Sequence, residues 1–347
     1  MDSMPDDILR NILARLPSNK PLSRCRCVSP HWNRVISDLC FTINSKSQRK
    51  FFVTSHKNSR PTQKIIGTFS GIVIYIRMDS NVKSNTKGRK LRTILYNPFT
   101  HAFKRLPDPI NSNIDDDYDD SSFVYGIAYG KTVLDRDLKM VRLYRASNNS
   151  SKNYYLNTCD VFCFRTSSWS TSKVVTQYSK NDFDDNVGTF VNGYLYWIAS
   201  YRMKIMALNV NEMVFSEIQL PNQGCFTETR LGTFHGNLCM ITDTSNFVES
   251  GYDIWVMKGV ENLWSKEISF PCYGTVNDDL YEFRVVNIMD DGRIMIVDSL
   301  NRVIVYDISK CSFELHNTSL SVTDFATVHG IEYVETLVAP SDLCRGY

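Results

Sequence analysis

The stretch that decides the fold of most of the chain is residues 303–313, Val-Ile-Val-Tyr-Asp-Ile-Ser-Lys-Cys-Ser-Phe. Four β-branched or aromatic residues, a polar turn and a second aromatic residue predict a β-hairpin. The same form appears four more times, in residues 94–103, 161–169, 205–215 and 252–264. The aromatics that open the second strands lie 66, 46, 49 and 49 residues apart; they are Phe103, Trp169, Phe215, Trp264 and Phe313.

A period of about 45–50 residues with about four strands per unit is typical of a β-propeller. Each four-stranded blade leaves edges and a face that only neighbouring blades can cover. Five blades are predicted between about residues 63 and 318. The remaining strand-like segments, 51–53 and 331–338, would share a further blade and close the ring. We therefore expect an all-β propeller of about six blades, with five or seven blades, or an irregular pair of β-sandwiches, as the alternatives.

A second repeat supports the hairpins. Gly193, Gly236 and Gly292 each stand just before a strand-like segment. Glycine at such a place supplies the positive φ that a tight hairpin turn requires.

The first forty residues follow a different pattern. Apolar residues recur at helical spacing between Ile8 and Leu16, and Pro17 ends the helix. A second short helix would carry Leu22, Cys25 and Val28 on one face, and a third would begin at Ser29 with Pro30 in its first turn. A segment this small seldom folds alone, so it is expected to pack on the rest of the chain or on a second protein.

These residues resemble the F-box. The resemblance rests on residues 4–9 (Met-Pro-Asp-Asp-Ile-Leu), 12–17 (Ile-Leu-Ala-Arg-Leu-Pro), 25–29 (Cys-Arg-Cys-Val-Ser), Trp32 and Ile36. It departs from the usual motif at Met4, Pro21 and Pro30. The rest of the chain resembles the kelch-like F-box-associated interaction domain of plant F-box proteins. That resemblance rests on residues 97–100, 125–129, 139–143, 191–197 and 333–338, although Gly130-Lys131 stands where the family usually has Asp-Pro.

The resemblance implies a small all-α F-box of three helices at residues 1–45, a linker and first strand at 46–60, and a propeller domain at 61–347. It also implies a substrate-recognition adaptor of an SCF-type cullin–RING ubiquitin ligase. The F-box would bind a Skp-type linker protein, and through it a cullin, while the propeller holds a protein substrate for ubiquitination and proteasomal degradation. The chain itself would be non-catalytic and would act in the cytoplasm or the nucleus.

The residues expected to contact the linker are Pro5, Ile8, Leu9, Leu16, Pro17, Leu22, Cys27, Val28 and Trp32. Apolar anchors in a docked helical patch are typical binding hot spots. In contrast, Ile12, Leu13, Val35 and Ile36 are expected to face the core of the helical segment itself. Substrate-binding residues are not assigned. Two alternatives stay open: an F-box scaffold or inhibitor without substrate turnover, and a propeller enzyme or glycan-binding protein with a helical cap.

Composition and spacing argue against other classes of function. The balance of 39 Lys+Arg against 37 Asp+Glu gives a net charge of +2, so nucleic acid is not an expected ligand. The longest apolar run, residues 72–76, is too short for a membrane helix. Neither the ten cysteines nor the six histidines show metal-ligand spacing, so neither a metal nor a cofactor is expected.

Four further stretches carry residues that could support chemistry. Residues 126–132 have three residues between their glycines where a phosphate-binding loop needs four. The acidic residues of 115–120 lack the glycine and the glutamate of a calcium loop, and a second acidic group follows at 182–185. The basic run at 83–92 is expected to be a solvated loop.

Overall fold

The computed structural model describes the chain in segments separated by gaps. The described residues are 4–16, 19–38, 49–56, 63–79, 90–109, 123–129, 138–145, 156, 158–174, 176–183, 187–199, 203–221, 229–244, 251–259, 263–271, 273–276, 279–298, 302–319 and 327–344.

Three short helices form at the N-terminal end, as predicted: α1 (Asp6–Leu13), α2 (Asn19–Cys25) and α3 (Pro30–Ser37). Pro5 precedes α1, and two acidic residues in the first turn suit the helix dipole. Ser29 caps α3, because its side chain accepts the N–H of Trp32 at 3.2 Å and Pro30 occupies the first turn. The second helix is shorter than predicted and ends at Cys25, three residues before Val28.

The rest of the described chain is almost entirely strand. Five four-stranded antiparallel groups follow one another, and we call them units 1 to 5. Units 2 and 3 form one eight-stranded sheet, because their first strands pair in parallel. Their strands are, for unit 1, β2 (Gln63–Phe69), β3 (Ile72–Asp79), β4 (Lys90–Tyr96) and β5 (Phe103–Arg105); for unit 2, β6 (Val124–Ala128), β7 (Lys139–Tyr144), β8 (Thr158–Cys163) and β9 (Ser168–Lys173); for unit 3, β10 (Val187–Val191), β11 (Tyr194–Ala199), β12 (Lys204–Asn209) and β13 (Val214–Gln219); for unit 4, β14 (Thr229–Phe234), β15 (Asn237–Asp243), β16 (Gly251–Lys258) and β17 (Leu263–Pro271); and for unit 5, β19 (Asp279–Ile288), β20 (Arg293–Asp298), β21 (Arg302–Asp307) and β22 (Ser312–Ser319).

Three further strands complete the sheets. The short strand β18 (Tyr273–Val276) extends unit 5 by pairing with β19. The strand β1 (Arg49–His56) pairs antiparallel with β23 (Thr327–Val334), which joins the two ends of the β-rich region. We call β1 and β23 the closing pair. A helical N-terminus with a mostly β body is therefore confirmed.

All five predicted hairpins are present between the third and fourth strands of the units. The aromatic residue that opens each fourth strand faces an apolar residue on the third strand. The cross-strand pairs are Tyr96 with Phe103, Phe162 with Trp169, Leu208 with Phe215, Met257 with Trp264, and Tyr306 with Phe313. Such pairs stabilise a hairpin, which explains why the repeat could be found in the sequence.

The hydrophobic cores lie between consecutive units. Separate clusters join units 1 and 2, units 2 and 3, units 3 and 4, and units 4 and 5. A further cluster joins unit 5 to Phe51 and Val53 of the closing pair. The Phe52 ring of that pair lies 5.8 Å from the Tyr96 ring of unit 1. Each unit therefore covers the faces of its two neighbours, which is the packing expected of a propeller.

The innermost strands carry a glycine at the point of closest approach. In unit 2, a Cβ on Gly126 would lie 2.7 Å from the Leu195 side chain of unit 3. In unit 4, a Cβ on Gly232 would lie 2.7 Å from Ile288 of unit 5. Gly67 of β2 lies against Ile127 of unit 2, and Gly330 of β23 lies against Met295 of unit 5, whereas Gly188 of β10 makes room for Trp197 of its own unit. Apart from Gly188, these glycines let neighbouring units approach closely around the ring axis.

Candidate functional site

The inner face of the three helices forms a small apolar core. Its buried members are Leu9, Leu13, Leu22, Val35, Ile36 and Leu337. The last of these belongs to the C-terminal segment that follows β23. Leu16, Cys25, Trp32 and Phe99 pack around this core and are partly buried. The helices therefore complete their core with side chains of the β-rich body, which three short helices of this size require.

Polar contacts hold the same junction. The Asn19 side-chain amide donates to the carbonyl of Glu335 at 2.6 Å, and Asn19 is 1% exposed. The Arg26 guanidinium donates to the carbonyl of Leu337 at 3.4 Å and to Asn33 and Ser37 within the helical segment. A buried amide that satisfies a backbone carbonyl fixes the helices at a defined position.

Asn97 fastens the C-terminal segment to unit 1. Its buried side-chain amide donates to the carbonyls of Thr336 at 2.9 Å and Val338 at 2.8 Å. Its side-chain oxygen accepts the backbone N–H groups of Phe99 and Thr100 in the following turn. The sequence motif at residues 97–100 therefore has a structural role: it connects the first hairpin to the segment on which the helices rest.

The outer face of the helices is apolar and exposed. Met4 lies two residues before α1 begins, and Ile8 and Ile12, four residues apart, lie along one side of the helix. Their exposed fractions are 40%, 51% and 45%. Val28, 61% exposed, lies three residues before His31, whose ring nitrogen is 3.2 Å from the carbonyl of Met4. Val28 therefore lies near Met4, and we call the exposed apolar residues Met4, Ile8, Ile12 and Val28 the outer face.

The structure separates the predicted linker-contact residues into groups. Pro5, Ile8, Cys27 and Val28 are exposed, and Leu16 and Trp32 are half-buried at the edge of the core. Leu9 and Leu22 are at most 1% exposed, so in this arrangement they support the helices and offer no surface to a partner. Pro17 lies outside the described residues.

One expectation about the helical core is wrong. Leu13, Val35 and Ile36 face the core as predicted, but Ile12 is 45% exposed. The reason is geometric: Ile12 follows Ile8 by four residues, whereas the buried Leu13 follows Leu9 by four. The apolar residues of α1 therefore divide between two faces of the helix.

Charged side chains join the first and third helices. Arg10 donates to Asp38 at 2.5 Å, and this hydrogen bond raises the pKa of Arg10 above its ordinary value. Asp6, in the first turn of α1, lies 3.3 Å from Arg34 and 3.4 Å from His31 of α3. Asp6 and Arg10 lie on a different side of α1 from Ile8 and Ile12, so these pairs connect α1 to α3 without covering the apolar residues.

Within the described ranges, no group of three or more His, Cys, Asp or Glu residues is placed to hold a metal ion. Among the described ion pairs, the most buried is Arg142 with Asp160, which is enclosed by Phe123, Tyr144 and Trp169 and so is closed to a substrate. No helix in the described part of the chain is long and apolar enough to cross a membrane.

The four stretches that could support chemistry lie largely outside the described residues. The structure describes neither the acidic residues at 115–120 nor the basic residues at 83–89. Of the glycine-containing stretch, β6 ends at Ala128, and residues 130–132 are not described. In the second acidic group only Asp182 and Phe183 are described.

The sequence predicts packing of the helices on the body as one of two alternatives, but it does not indicate which residues form the junction. Asn19, Arg26 and Leu337 form it; Arg26 and Leu337 belong to the motif segments 25–29 and 333–338, where neither has an assigned contact. The available signal was compositional: an asparagine at the start of α2 and a Leu-Val pair after the last strand. Neither is distinctive, because ordinary cap and core residues have the same types.

Comparison with known proteins identifies both parts of the chain. Residues 1–44 match the family described as the F-box domain, and residues 33–321 match the F-box associated beta propeller domain. An F-box protein of Arabidopsis thaliana is 28% identical over 307 residues, which cover 81% of this chain and 78% of that protein. An F-box/kelch-repeat protein of the same plant is 25% identical over 390 residues, which cover 98% and 97% of the two chains. A third F-box protein of this plant is 25% identical, covering 77% and 79%. The chain therefore belongs to the F-box proteins that carry an F-box-associated β-propeller domain.

Proposed function

We propose that this chain is a substrate-recognition adaptor of an SCF-type cullin–RING ubiquitin ligase. The outer face of the F-box helices binds a Skp-type linker and, through it, a cullin. The propeller binds a protein substrate, which is then ubiquitinated and degraded by the proteasome. The chain contributes recognition and positioning, while other subunits carry out the chemistry in the cytoplasm or the nucleus.

The observation that carries the proposal is the exposed apolar outer face. Large side chains such as Ile8 and Ile12, about half exposed on a short helix, are costly to leave in water. They cannot turn inward, because Leu9 and Leu13 already fill the inner side. A patch of this kind marks a protein-interaction site. Of the predicted linker contacts, we retain Pro5, Ile8, Cys27 and Val28 for direct contact and add Met4 and Ile12.

The other predicted contacts act in two ways. Leu16 and Trp32, half-buried at the edge, contribute only part of their surface to the linker. Leu9 and Leu22 act indirectly, because they hold α1 and α2 in place. Pro17 remains a proposed contact on the basis of the F-box motif alone.

The junction with the body supports a positioning role. Leu337, Asn19 and Arg26 fix the helices to the C-terminal segment, and Asn97 fixes that segment to unit 1. An adaptor attached in this way would hold its substrate at a set distance and angle from the linker. We further propose that the closing pair acts as a two-stranded sixth blade, and that the domains divide at residues 45 and 60. A crystal structure of the linker complex would give the number of blades directly.

The first experiment is co-purification of a plant Skp-type linker with the full chain. The test variant is Ile8→Asp/Val28→Asp, which places two charges on the outer face. The matched control is Val214→Asp/Leu263→Asp, which alters two similarly exposed apolar residues, 59% and 61% exposed, on the propeller. We expect the linker to co-purify with the wild type and the control but not with the test variant. Equal recovery with all three chains would contradict the proposal.

Substrate turnover is tested separately. Proteins that co-purify with the wild-type chain are quantified with and without a proteasome inhibitor, and the Ile8→Asp/Val28→Asp variant serves as the comparison. An adaptor predicts partners whose abundance rises with the inhibitor and with the variant. Partners whose abundance changes in neither case would favour the alternative of a scaffold or inhibitor.

A further inference from the structure

A cavity of about 410 Å³ lies where the innermost strands meet. Its walls come from β2, β6, β10, β14, β19 and β23, so all five units and the closing pair contribute. The volume is within the range of roughly 300–1,000 Å³ that ligand sites occupy. The tight glycine contacts described above leave this space open along the ring axis.

One side of the cavity opening is aromatic. Tyr129 directly follows β6 and is 45% exposed. Its ring lies 4.7 Å from the Phe190 ring of unit 3 and 5.8 Å from the Phe69 ring of unit 1. Residues from three units therefore form an aromatic wall with one accessible ring.

The other side of the opening is acidic. Asp290 follows β19 and is exposed, and its carboxylate accepts the backbone N–H of Gly236 at 2.7 Å. Burial is the main cause of the raised pKa of Tyr129, and the charge of Asp290 raises it further. Tyr129 and Asp290 both line this cavity, so the ring and the carboxylate belong to the same opening.

The charge of Asp290 is not neutralised by its described neighbours. The nearby acids Asp291 and Glu332 are paired with Arg49 and Arg293, at distances between 2.6 and 3.4 Å. Within the described ranges, Asp290 forms no such ion pair. It keeps its position through the N–H of Gly236, which donates a hydrogen bond but does not cancel the charge.

The two basic side chains of the described lining, Arg230 and His329, lie deeper in the cavity. His235 directly follows β14, and its N–H donates to the Asp290 carbonyl at 2.8 Å; Arg230 lies on that strand, five residues before His235. At about 3.3 Å per residue, Arg230 is roughly 16 Å from the level of Asp290. His329 precedes Glu332 by three residues on β23, which places it roughly 10 Å deeper. The opening therefore keeps a negative charge beside an aromatic ring.

We propose that this opening binds a basic side chain, the guanidinium or ammonium group of an arginine or lysine in a peptide segment. The cation stacks on Tyr129 and pairs with the carboxylate of Asp290, and the cavity receives the flanking chain. Aromatic faces and carboxylates are the two groups that recognise such cations. Only the identification of that peptide as part of the ligase substrate rests on the proposed function.

The test is a binding titration of the full chain by nuclear magnetic resonance, with no linker present. The probes are a capped peptide with one arginine among glycines, the same peptide with neutral citrulline, and agmatine as a free small cation. The variants are Asp290→Asn, which keeps an acceptor for Gly236, and Tyr129→Leu, which removes the ring. The control is Asp108→Asn, which removes a carboxylate paired with Arg105 outside the cavity.

We expect the arginine peptide to bind at least about tenfold more tightly than the citrulline peptide. Asp290→Asn and Tyr129→Leu should each weaken it several-fold to tenfold, and Asp108→Asn should leave it unchanged. Equal binding of the arginine and citrulline peptides, or no effect of Asp290→Asn in a folded chain, would overturn the proposal. Agmatine binding as tight as the peptide would overturn the assignment to a peptide. Because the linker is absent, failure here is distinct from failure of the adaptor function.

Discussion

Removal of the Leu337 side chain should loosen the F-box while leaving the propeller folded. Leu337 is 1% exposed and is one of six buried residues in the core of the helices. Leu→Ala in such a place costs about 2–5 kcal/mol, from lost burial and the cavity that remains. In this case, the cost falls on the contact between the helices and the body, because Leu337 lies between them.

Hydrogen exchange measured by mass spectrometry resolves where the cost appears. Amide protection of α1, α2 and α3 depends on the free energy of local opening. A loss of 2–5 kcal/mol corresponds to exchange that is roughly 30-fold to several thousand-fold faster in these helices. Strands far from the junction, such as those of unit 4, should exchange as in the wild type.

The matched control is Leu143→Ala. Leu143 is fully buried between units 2 and 3, so the same substitution removes the same side chain from a different core. It should accelerate exchange in those units and leave the helices unchanged. If Leu337→Ala leaves exchange in the helices unchanged, or if both variants alter it equally, the account of the junction is wrong.

Three further predictions concern other described groups. Asn97→Ala should lower the free energy of unfolding, measured by urea denaturation, by about 2 kcal/mol or more, because it leaves the buried carbonyls of Thr336 and Val338 without their donor. Asn209→Ala alters a similar turn that has no such link to the C-terminal segment, so its loss should be smaller. Burial alone would raise the pKa of Asp291, but hydrogen bonds and charges from neighbouring arginines outweigh it and lower that pKa below the ordinary value of 3.8. The ionised carboxylate therefore contributes fully to folding stability above that value, and this contribution is lost as the pH falls through the lower folded pKa. The stability difference between wild type and Asp291→Asn should therefore shrink between about pH 5 and pH 3, and a constant difference would contradict this. Burial raises the pKa of Cys159 to about 12. Iodoacetamide at pH 8 should therefore label the exposed Cys27 faster than Cys159, and equal labelling rates of the two cysteines in mass spectrometry would contradict the structure.

Elements with local signals could be predicted from the sequence. The five hairpins were found because each carries an aromatic residue at the same place, opposite an apolar partner. The turn glycines Gly193, Gly236 and Gly292 have the expected positive φ, between 75° and 87°. The start of α3 was correct because a serine followed by a proline is a specific cap signal. Segments 51–53 and 331–334 pair as expected of the strand-like segments left over, but the second strand runs over residues 327–334, so residues 335–338 were wrongly included in it.

Features that depend on distant contacts could not be predicted. Helical periodicity placed Ile12 with the core residues, but the width of the buried face depends on what packs there, and Leu337 comes from the far end of the chain. The glycines of the innermost strands, such as Gly126 and Gly232, carry a repeat that becomes visible only once the strands are in place. The cavity opening brings together Tyr129 and Asp290, which are separated by 161 residues, so no local pattern could indicate it.

The central claim is that the outer face of the F-box helices binds a Skp-type linker, and isothermal titration calorimetry with the purified linker tests it most directly. Ile8→Ala/Ile12→Ala truncates two side chains that are about half exposed in the free chain. Burial of that exposed half against the linker would contribute roughly 0.75–1.5 kcal/mol of binding free energy for each side chain. The account predicts nanomolar-to-micromolar binding by the wild type and a Kd raised roughly 10- to 150-fold in this variant. The control Val214→Ala/Leu263→Ala, with similar exposure on the propeller, should bind as the wild type does. No binding by the folded wild type, or the same Kd for all three chains, would contradict the claim.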